Sequence, residues 1–172
     1  IRDSDGNRLC FGLRRPARFA AEERALPMPA AGRRPLPGRL QHFGFGTAAV
    51  ETMTEFYLKR LCFALSDQVF SDDGLLRSTF VRSDAEHHSV AVFGNGTPGF
   101  DHFSLEAPGW TNLRDWADHF AGHGTTIAWG PGRHGVGNNL FLFVHDPDRR
   151  MLEISAELDR IKPSARPGRW KF

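Results

Sequence analysis

The sequence has few of the residues that mark several protein classes. Its 172 residues include only two cysteines, Cys10 and Cys62, too few for a disulfide framework, which favours a reducing, cytoplasmic setting. No apolar run approaches the roughly 20 residues that span a bilayer, and no signal-peptide pattern opens the chain. Lys and Arg total 22 against 20 Asp and Glu, so the chain lacks the clustered positive charge of a nucleic-acid binder. We therefore expect neither a membrane nor a nucleic acid as partner.

Tyrosine is nearly absent too, and this scarcity affects the chemistry the chain can offer. One tyrosine, Tyr57, stands against 15 phenylalanines, so at most one phenol is available to any site. Histidine, by contrast, occurs eight times. Imidazole binds metal ions and exchanges protons near neutral pH, so the histidines are the first candidates for functional residues.

Composition divides the chain into four segments. Residues 12–39 are rich in Pro and Arg, which predicts a linker rather than a regular element. Residues 40–158 carry periodic patterns and are predicted to form the main domain, followed by a C-terminal tail, 159–172. Asp3-Ser4-Asp5 and Leu9 align without a gap with Asp146-Pro147-Asp148 and Leu152. Residues 1–11 are therefore interpreted as the last strand of an N-terminal domain that is mostly absent.

The region 40–158 contains an internal repeat. Residues 40–98 and 99–156 each show the pattern strand, helix, strand, strand, strand, with His42-Phe43 and His102-Phe103 in equivalent first strands. This predicts an α+β fold in which paired βαβββ modules form a curved mixed sheet around a cavity. Alternation along the strands puts His42, His102 and Glu153 on faces opposite the apolar residues, so the three could converge.

Two histidines and one carboxylate form the facial triad that binds non-haem Fe(II) and leaves positions open for substrate and dioxygen. Mn(II) accepts similar ligands. Each residue alone is weak evidence, because a single histidine on a strand is usually structural. Equivalent positions in two repeats strengthen the case.

Several stretches together resemble the catalytic domain of type I extradiol ring-cleavage dioxygenases, in the vicinal oxygen chelate superfamily. They are Leu40-Gln-His-Phe, Glu86-His-His-Ser-Val-Ala-Val, Asp101-His-Phe-Ser-Leu-Glu, Gly130-Pro-Gly-Arg-His-Gly-Val-Gly-Asn-Asn, and Asp146-Pro-Asp followed by Leu-Glu-Ile. The resemblance implies that His42, His102 and Glu153 hold Fe(II), with Mn(II) possible. It also implies a catecholic substrate, dioxygen as second substrate and a homo-oligomer.

The resemblance assigns further residues around the metal. His88 takes the position of the acid/base, and His134 that of a second histidine that contacts the substrate. Since only one of two adjacent residues faces the cavity, His87 is expected to be a solvent-facing loop residue. Phe143, Phe141 and Val90 are expected to form an apolar wall. Phe143 stands where the family usually has a tyrosine.

Two other readings are open. One is another metal enzyme of the superfamily, such as a glyoxalase or a fosfomycin-resistance-like transferase. A glyoxalase would need a second carboxylate in the last strand of the first repeat, and residues 88–93 contain none. The other is a metal-free module that binds a planar aromatic compound, against which the complete set of His42, His102 and Glu153 argues.

Overall fold

A nine-stranded mixed sheet and two helices make up the fold in this computed structural model, which describes residues 1–10, 36 and 38–171. The first repeat contains β1 (Arg39–Gly46), α1 (Val50–Arg60), β2 (Ala64–Phe70), β3 (Leu76–Arg82) and β4 (Val90–Phe93). The second contains β5 (Gly99–Glu106), α2 (Trp110–Gly122), β6 (Ile127–Arg133), β7 (Leu140–His145) and β8 (Met151–Ala156). A last strand, β9 (Gly168–Lys171), follows them.

The strand order confirms the internal repeat. It runs β6-β7-β8-β5-β1-β4-β3-β2-β9. From the centre of the sheet outward, each repeat therefore contributes its first strand, then its fourth, its third and its second. The two first strands, β1 and β5, pair antiparallel at the middle, and each pairs parallel with its own fourth strand. The predicted paired βαβββ modules are therefore present.

Each helix covers one half of the sheet with its own apolar cluster. Val50, Met53 and Tyr57 of α1 pack on Val90 and Val92 of β4. The α2 helix packs Leu113 and Phe120 on the strands of the second repeat in the same way. Burial of these side chains removes apolar surface from water and fixes the helices on one face of the sheet. The opposite face is left for the cavity.

The first ten residues repeat the turn that precedes β8. Asp3 N donates to Asn7 O and Gly6 N donates to Asp3 O, while Asn7 N donates to the Asp3 carboxylate. Asp146 makes the same three hydrogen bonds, with Arg149 and Arg150 in place of Gly6 and Asn7. The gap-free alignment of these two segments thus corresponds to a shared local structure. Whether a preceding domain accounts for it stays a prediction.

The two segments that flank the predicted domain differ in what the structure describes of them. The predicted linker, residues 12–39, lies outside the described residues except for Leu36, Gly38 and Arg39. The predicted tail contributes to the sheet, because β9 pairs parallel with β2. No helix in the described part of the chain is both long enough and apolar enough to cross a membrane.

Candidate metal centre and surrounding cavity

The three predicted metal ligands lie together on the face of the sheet opposite the helices. His42 lies on β1, His102 on β5 and Glu153 on β8, and the three side chains are 2%, 6% and 1% exposed. His42 Nε2 lies 3.2 Å from His102 Nε2 and 2.9 Å from Glu153 Oε2. His102 Nε2 lies 3.8 Å from the same carboxylate oxygen. The repeat symmetry thus brings the histidines together, and the neighbouring β8 adds the carboxylate.

The outer nitrogens of both histidines are engaged elsewhere. The Nδ1 of His42 lies 3.3 Å from Gln41 Oε1, and the Nδ1 of His102 lies 2.7 Å from Asp101 Oδ1. Both partners are acceptors, so each Nδ1 carries the hydrogen and each Nε2 presents a bare lone pair. Such outer partners orient histidines that bind metal ions.

The arrangement fits a divalent cation. Two bare nitrogens face each other beside Glu153 Oε2, a buried oxygen that accepts no hydrogen bond from the described residues. Burial of an unpaired carboxylate is costly unless a cation compensates it. Adjacent ligand atoms of an octahedral ion with bonds of about 2.1 Å lie about 3 Å apart, close to the spacing seen here. These three residues can therefore hold a metal ion, and all their ligand atoms lie within 4.8 Å of one another.

Two symmetric β-bulges explain how Gln41 and Asp101 reach the histidines that follow them. In the β1–β5 register, Leu40 pairs with Leu105 and His42 with Ser104, so Gln41 has no partner. Phe45 pairs with Phe100 and Gly44 with His102, which leaves Asp101 without one. An extra residue in a strand interrupts the alternation of faces and redirects a side chain. Simple alternation along the sequence could not reveal either bulge.

The protonation states of His42 and Glu153 follow from their burial and from their neighbours. Burial lowers the pKa of His42 below its usual value, with Glu153 partly opposing this effect. Burial alone would raise the pKa of Glu153, but the neighbouring imidazoles of His134, His42 and His102 outweigh this effect, so its pKa is lowered. A neutral imidazole and an ionised carboxylate are the forms that bind metal ions.

A cavity of about 580 Å³ opens beside these ligands. His88, His134 and Phe143, which the resemblance assigns to the surroundings of the metal, are among the residues that line it. Other lining residues were not predicted: Phe80, Ala91, Phe93, Trp129 and Trp170. Its size and aromatic walls are typical of sites for small organic molecules.

Two predicted wall residues lie elsewhere. Val90 is buried in the cluster beneath α1, and Ala91 and Phe93 face the cavity in its place. Strand alternation that starts at His88 puts Val90 in the cavity, but β4 begins only at Val90, so the alternation of faces is not kept across Ser89. Phe141 is not part of the cavity wall and stacks on His134, with ring centroids 4.0 Å apart. It supports that histidine from behind.

The expectation that His87 is a solvent-facing loop residue is wrong. The side chain is 2% exposed, and its backbone N donates to Asp159 O, 2.8 Å away. Its Nε2 lies 3.1 Å from Asp67 Oδ2, and its Nδ1 lies 2.9 Å from His88 Nδ1. The segment that follows β8 crosses over residues 85–87 and buries this ring. Contacts of this kind between distant segments leave no local signal in a sequence.

The remaining histidines of the cavity have defined surroundings. The His88 ring lies 4.2 Å from the His42 ring. Burial, followed by repulsion from His42 and His87, lowers the pKa of His88 well below its usual value, which keeps the ring neutral. His134 Nε2 lies 3.6 Å from Glu153 Oε1, and that oxygen accepts a hydrogen bond from Asn139 Nδ2 at 3.2 Å.

Comparison with known proteins places this geometry in a family. Residues 39–154 match the family model of the glyoxalase/bleomycin resistance protein/dioxygenase superfamily. Metapyrocatechase 2 of Cupriavidus necator is 34% identical over 128 residues, which are 74% of this chain and 39% of that protein. Metapyrocatechase of Pseudomonas sp. strain CF600 is 29% identical over 111 residues, 64% of this chain and 36% of that protein. The chain thus spans less than half the length of these relatives.

Solved structures agree on the fold. A variant of homoprotocatechuate 2,3-dioxygenase from B. fuscum has a TM-score of 0.72 and 26% identity, over 77% of this chain and 38% of that one. The Mn(II)-bound glyoxalase from Novosphingobium aromaticivorans has a TM-score of 0.71 at 24% identity, over 78% of this chain and 43% of that one, a likeness that speaks for the fold alone. With the family model covering most of the sheet, the chain belongs to the glyoxalase/bleomycin resistance protein/dioxygenase superfamily.

Proposed function

We propose that this chain carries a non-haem Fe(II) centre that cleaves the ring of a catechol-type substrate with dioxygen, next to one hydroxyl-bearing carbon. The supporting observation is the convergence of His42 Nε2, His102 Nε2 and Glu153 Oε2 on an aromatic-lined cavity. Two histidines and one carboxylate with open positions are the ligand set of non-haem Fe(II) oxygenases. The similarity to metapyrocatechases and to homoprotocatechuate 2,3-dioxygenase supports the same chemistry. Bound Fe(II) would supply the redox chemistry that joins an aromatic ring to dioxygen.

The surrounding residues are proposed to bind the substrate and move its protons. His88 is neutral and lines the cavity, so it can take a proton from a bound hydroxyl and return it later in the reaction. His134, stacked on Phe141 and close to Glu153, is held in place to hydrogen-bond a substrate oxygen. Phe143 and Trp129 stack at 5.4 Å and provide an apolar wall. The cavity volume accommodates a catechol with a substituent.

Two observations weigh against the other readings. The four residues of β4, Val-Ala-Val-Phe, offer no carboxylate, so the second acidic ligand expected for a glyoxalase is absent from that strand. A metal-free binding module does not account for two histidine Nε2 atoms and a carboxylate oxygen that are buried within 3.8 Å of one another.

Three further expectations stay predictions: homo-oligomeric assembly, a cytoplasmic location and an N-terminal domain.

The test is reconstitution under nitrogen. The protein is loaded with Fe(II) or Mn(II) in parallel, mixed with a panel of substituted catechols, and exposed to air. We expect oxygen uptake together with a coloured ring-opened product, and the more active metal identifies the cofactor. Isomerisation of a glutathione hemithioacetal without oxygen uptake would favour the glyoxalase reading instead.

A further inference from the structure

Asp67 links the C-terminal strand to the histidines of the cavity. Its Oδ1 accepts from Gly168 N at 2.9 Å, and its Oδ2 accepts from Trp170 Nε1 at 2.8 Å. The same Oδ2 lies 3.1 Å from His87 Nε2. A surface strand and a buried histidine therefore share one carboxylate, which lies on β2 outside the metal site.

The hydrogen bonds continue from His87 to His88. Their Nδ1 atoms lie 2.9 Å apart, so one nitrogen must donate and the other accept. Asp67, as a carboxylate, can only accept, so His87 Nε2 carries a hydrogen. With the hydrogen of His87 on Nε2, its Nδ1 is the acceptor and His88 Nδ1 is the donor. The other nitrogen of His88, Nε2, is left with its lone pair.

The surroundings hold His87 in this role. The ring is 2% exposed and lies 5.8 Å from the Phe80 ring, measured between centroids. A Cβ added at Gly137 would come within 3.2 Å of His87 Nδ1, so the loop before β7 closes tightly over the ring.

We propose that Asp67 and His87 are positioning residues that fix His88 as the Nδ1–H tautomer and leave its Nε2 free to accept a proton from a ligand in the cavity. This inference rests on the proposed function, in which His88 moves a substrate proton. In this proton transfer the O–H bond of the substrate breaks and an N–H bond forms at His88 Nε2. The hydrogen bond between His88 Nδ1 and His87 stays in place. β9 pairs with β2, and Trp170 on β9 donates a hydrogen bond to the same Asp67 carboxylate.

The first measurement needs no metal. Long-range ¹H–¹⁵N correlation of histidine-labelled, metal-free protein at pH 8 reports which ring nitrogen carries the hydrogen, and a His88→Gln spectrum assigns the signal. We expect His88 as the Nδ1–H tautomer and His87 as Nε2–H. In Asp67→Asn and in His87→Phe, the His88 signal should move towards a mixture of tautomers. Asp73→Asn, which changes an exposed aspartate, should leave it unchanged. A His88 signal of the Nε2–H form in the parent protein would overturn the proposal.

The second measurement uses the iron-loaded protein. Asp67→Asn and His87→Phe should lower kcat about tenfold or more, while iron stoichiometry and KM stay close to those of the parent. A fall in kcat with no change in the His88 tautomer would contradict a positioning role. If tautomers shift as expected but no catechol is cleaved by any form, the proposed function fails and the positioning stands. If catechols are cleaved and both variants match the parent, the positioning fails alone.

Discussion

Gln41 and Asp101 occupy equivalent bulge positions in the two repeats, and each holds the Nδ1 of the histidine that follows it. The two hydrogen bonds differ in strength, since Asp101 offers a carboxylate at 2.7 Å and Gln41 an amide oxygen at 3.3 Å. Charge-assisted hydrogen bonds are the stronger kind. The two halves of the centre thus have the same geometry but unequal support.

Replacement of Asp101 should weaken metal binding more than replacement of Gln41. Asp101→Ala removes the charged partner of His102, and loss of such a partner weakens metal binding by about 10–100-fold. Gln41→Ala should have a smaller effect. Metal affinity measured by competition with a chelator checks both. Asp115→Ala, at a partly exposed aspartate paired with Arg114, is the control. Equal affinities for the Asp101 variant and the parent would refute this role.

Gly44 is expected to be essential for the orientation of His102. A Cβ at this position would lie 2.5 Å from both Cε1 and Nδ1 of the His102 ring, closer than any real contact. Gly44→Ala should therefore displace the ring and lower metal affinity about 10–100-fold, with the helices and sheet retained by circular dichroism. Gly122→Ala, where the new methyl meets open space, provides a matched control. Unchanged affinity in Gly44→Ala would show that the ring can move without loss.

Replacement of Phe143 by tyrosine tests how the absence of a phenol in the cavity affects the reaction. Its ring lies 5.5 Å from the His102 ring and lines the cavity, while Tyr57 is buried beneath α1. Phe143→Tyr introduces a hydrogen-bond donor beside the reacting ligand and should change kcat by about tenfold or more with iron still bound. Phe103→Tyr, on the opposite face of β5, should leave kcat unchanged. Identical kinetics for Phe143→Tyr and the parent would show that position 143 does not face the substrate.

Acid should destabilise the metal-free protein. Burial lowers the pKa values of His42 and His88, so below about pH 6.5 the unfolded chain binds protons that the folded chain does not. The free energy of unfolding should then fall by up to about 1.4 kcal/mol per pH unit for each of the two residues, as the pH drops towards their folded pKa values. Urea unfolding between pH 7.5 and 5.5, with chelator present, measures this slope.

Two variants test whether His88 contributes to this pH dependence of the free energy of unfolding. His88→Gln should show a shallower slope, whereas His145→Gln, at an exposed position, should keep that of the parent. A slope in His88→Gln as steep as in the parent would contradict the neutral, buried state of His88.

The repeat made much of this architecture predictable. Equivalent positions of His42 and His102 in two patterns of the same order predict the paired modules and the meeting of the two histidines, and the strand after Asp146 supplies Glu153. These inferences need only alternation and symmetry. They hold because a shared fold repeats its side-chain directions.

The errors arise where regular alternation stops. Strand alternation continued back through Ser89 would put Val90 in the cavity, but the backbone bends at Ser89 and Val90 packs in the core. The bulges at Gln41 and Asp101 and the burial of His87 depend on partners distant in the chain, so no local pattern reveals them. The contacts that orient the metal ligands and His88 are therefore visible in the structure and not in the sequence.

Glu153→Ala provides the most direct test of the central claim. The parent and this variant are loaded with Fe(II) under nitrogen, desalted, and assayed for bound iron and for oxygen uptake with a catechol. The control is Glu157→Ala, at an exposed glutamate that pairs with Arg133. The account predicts that the parent and the control retain iron and consume oxygen, and that Glu153→Ala does neither. Full iron content and full activity in Glu153→Ala would contradict the metal centre of His42, His102 and Glu153.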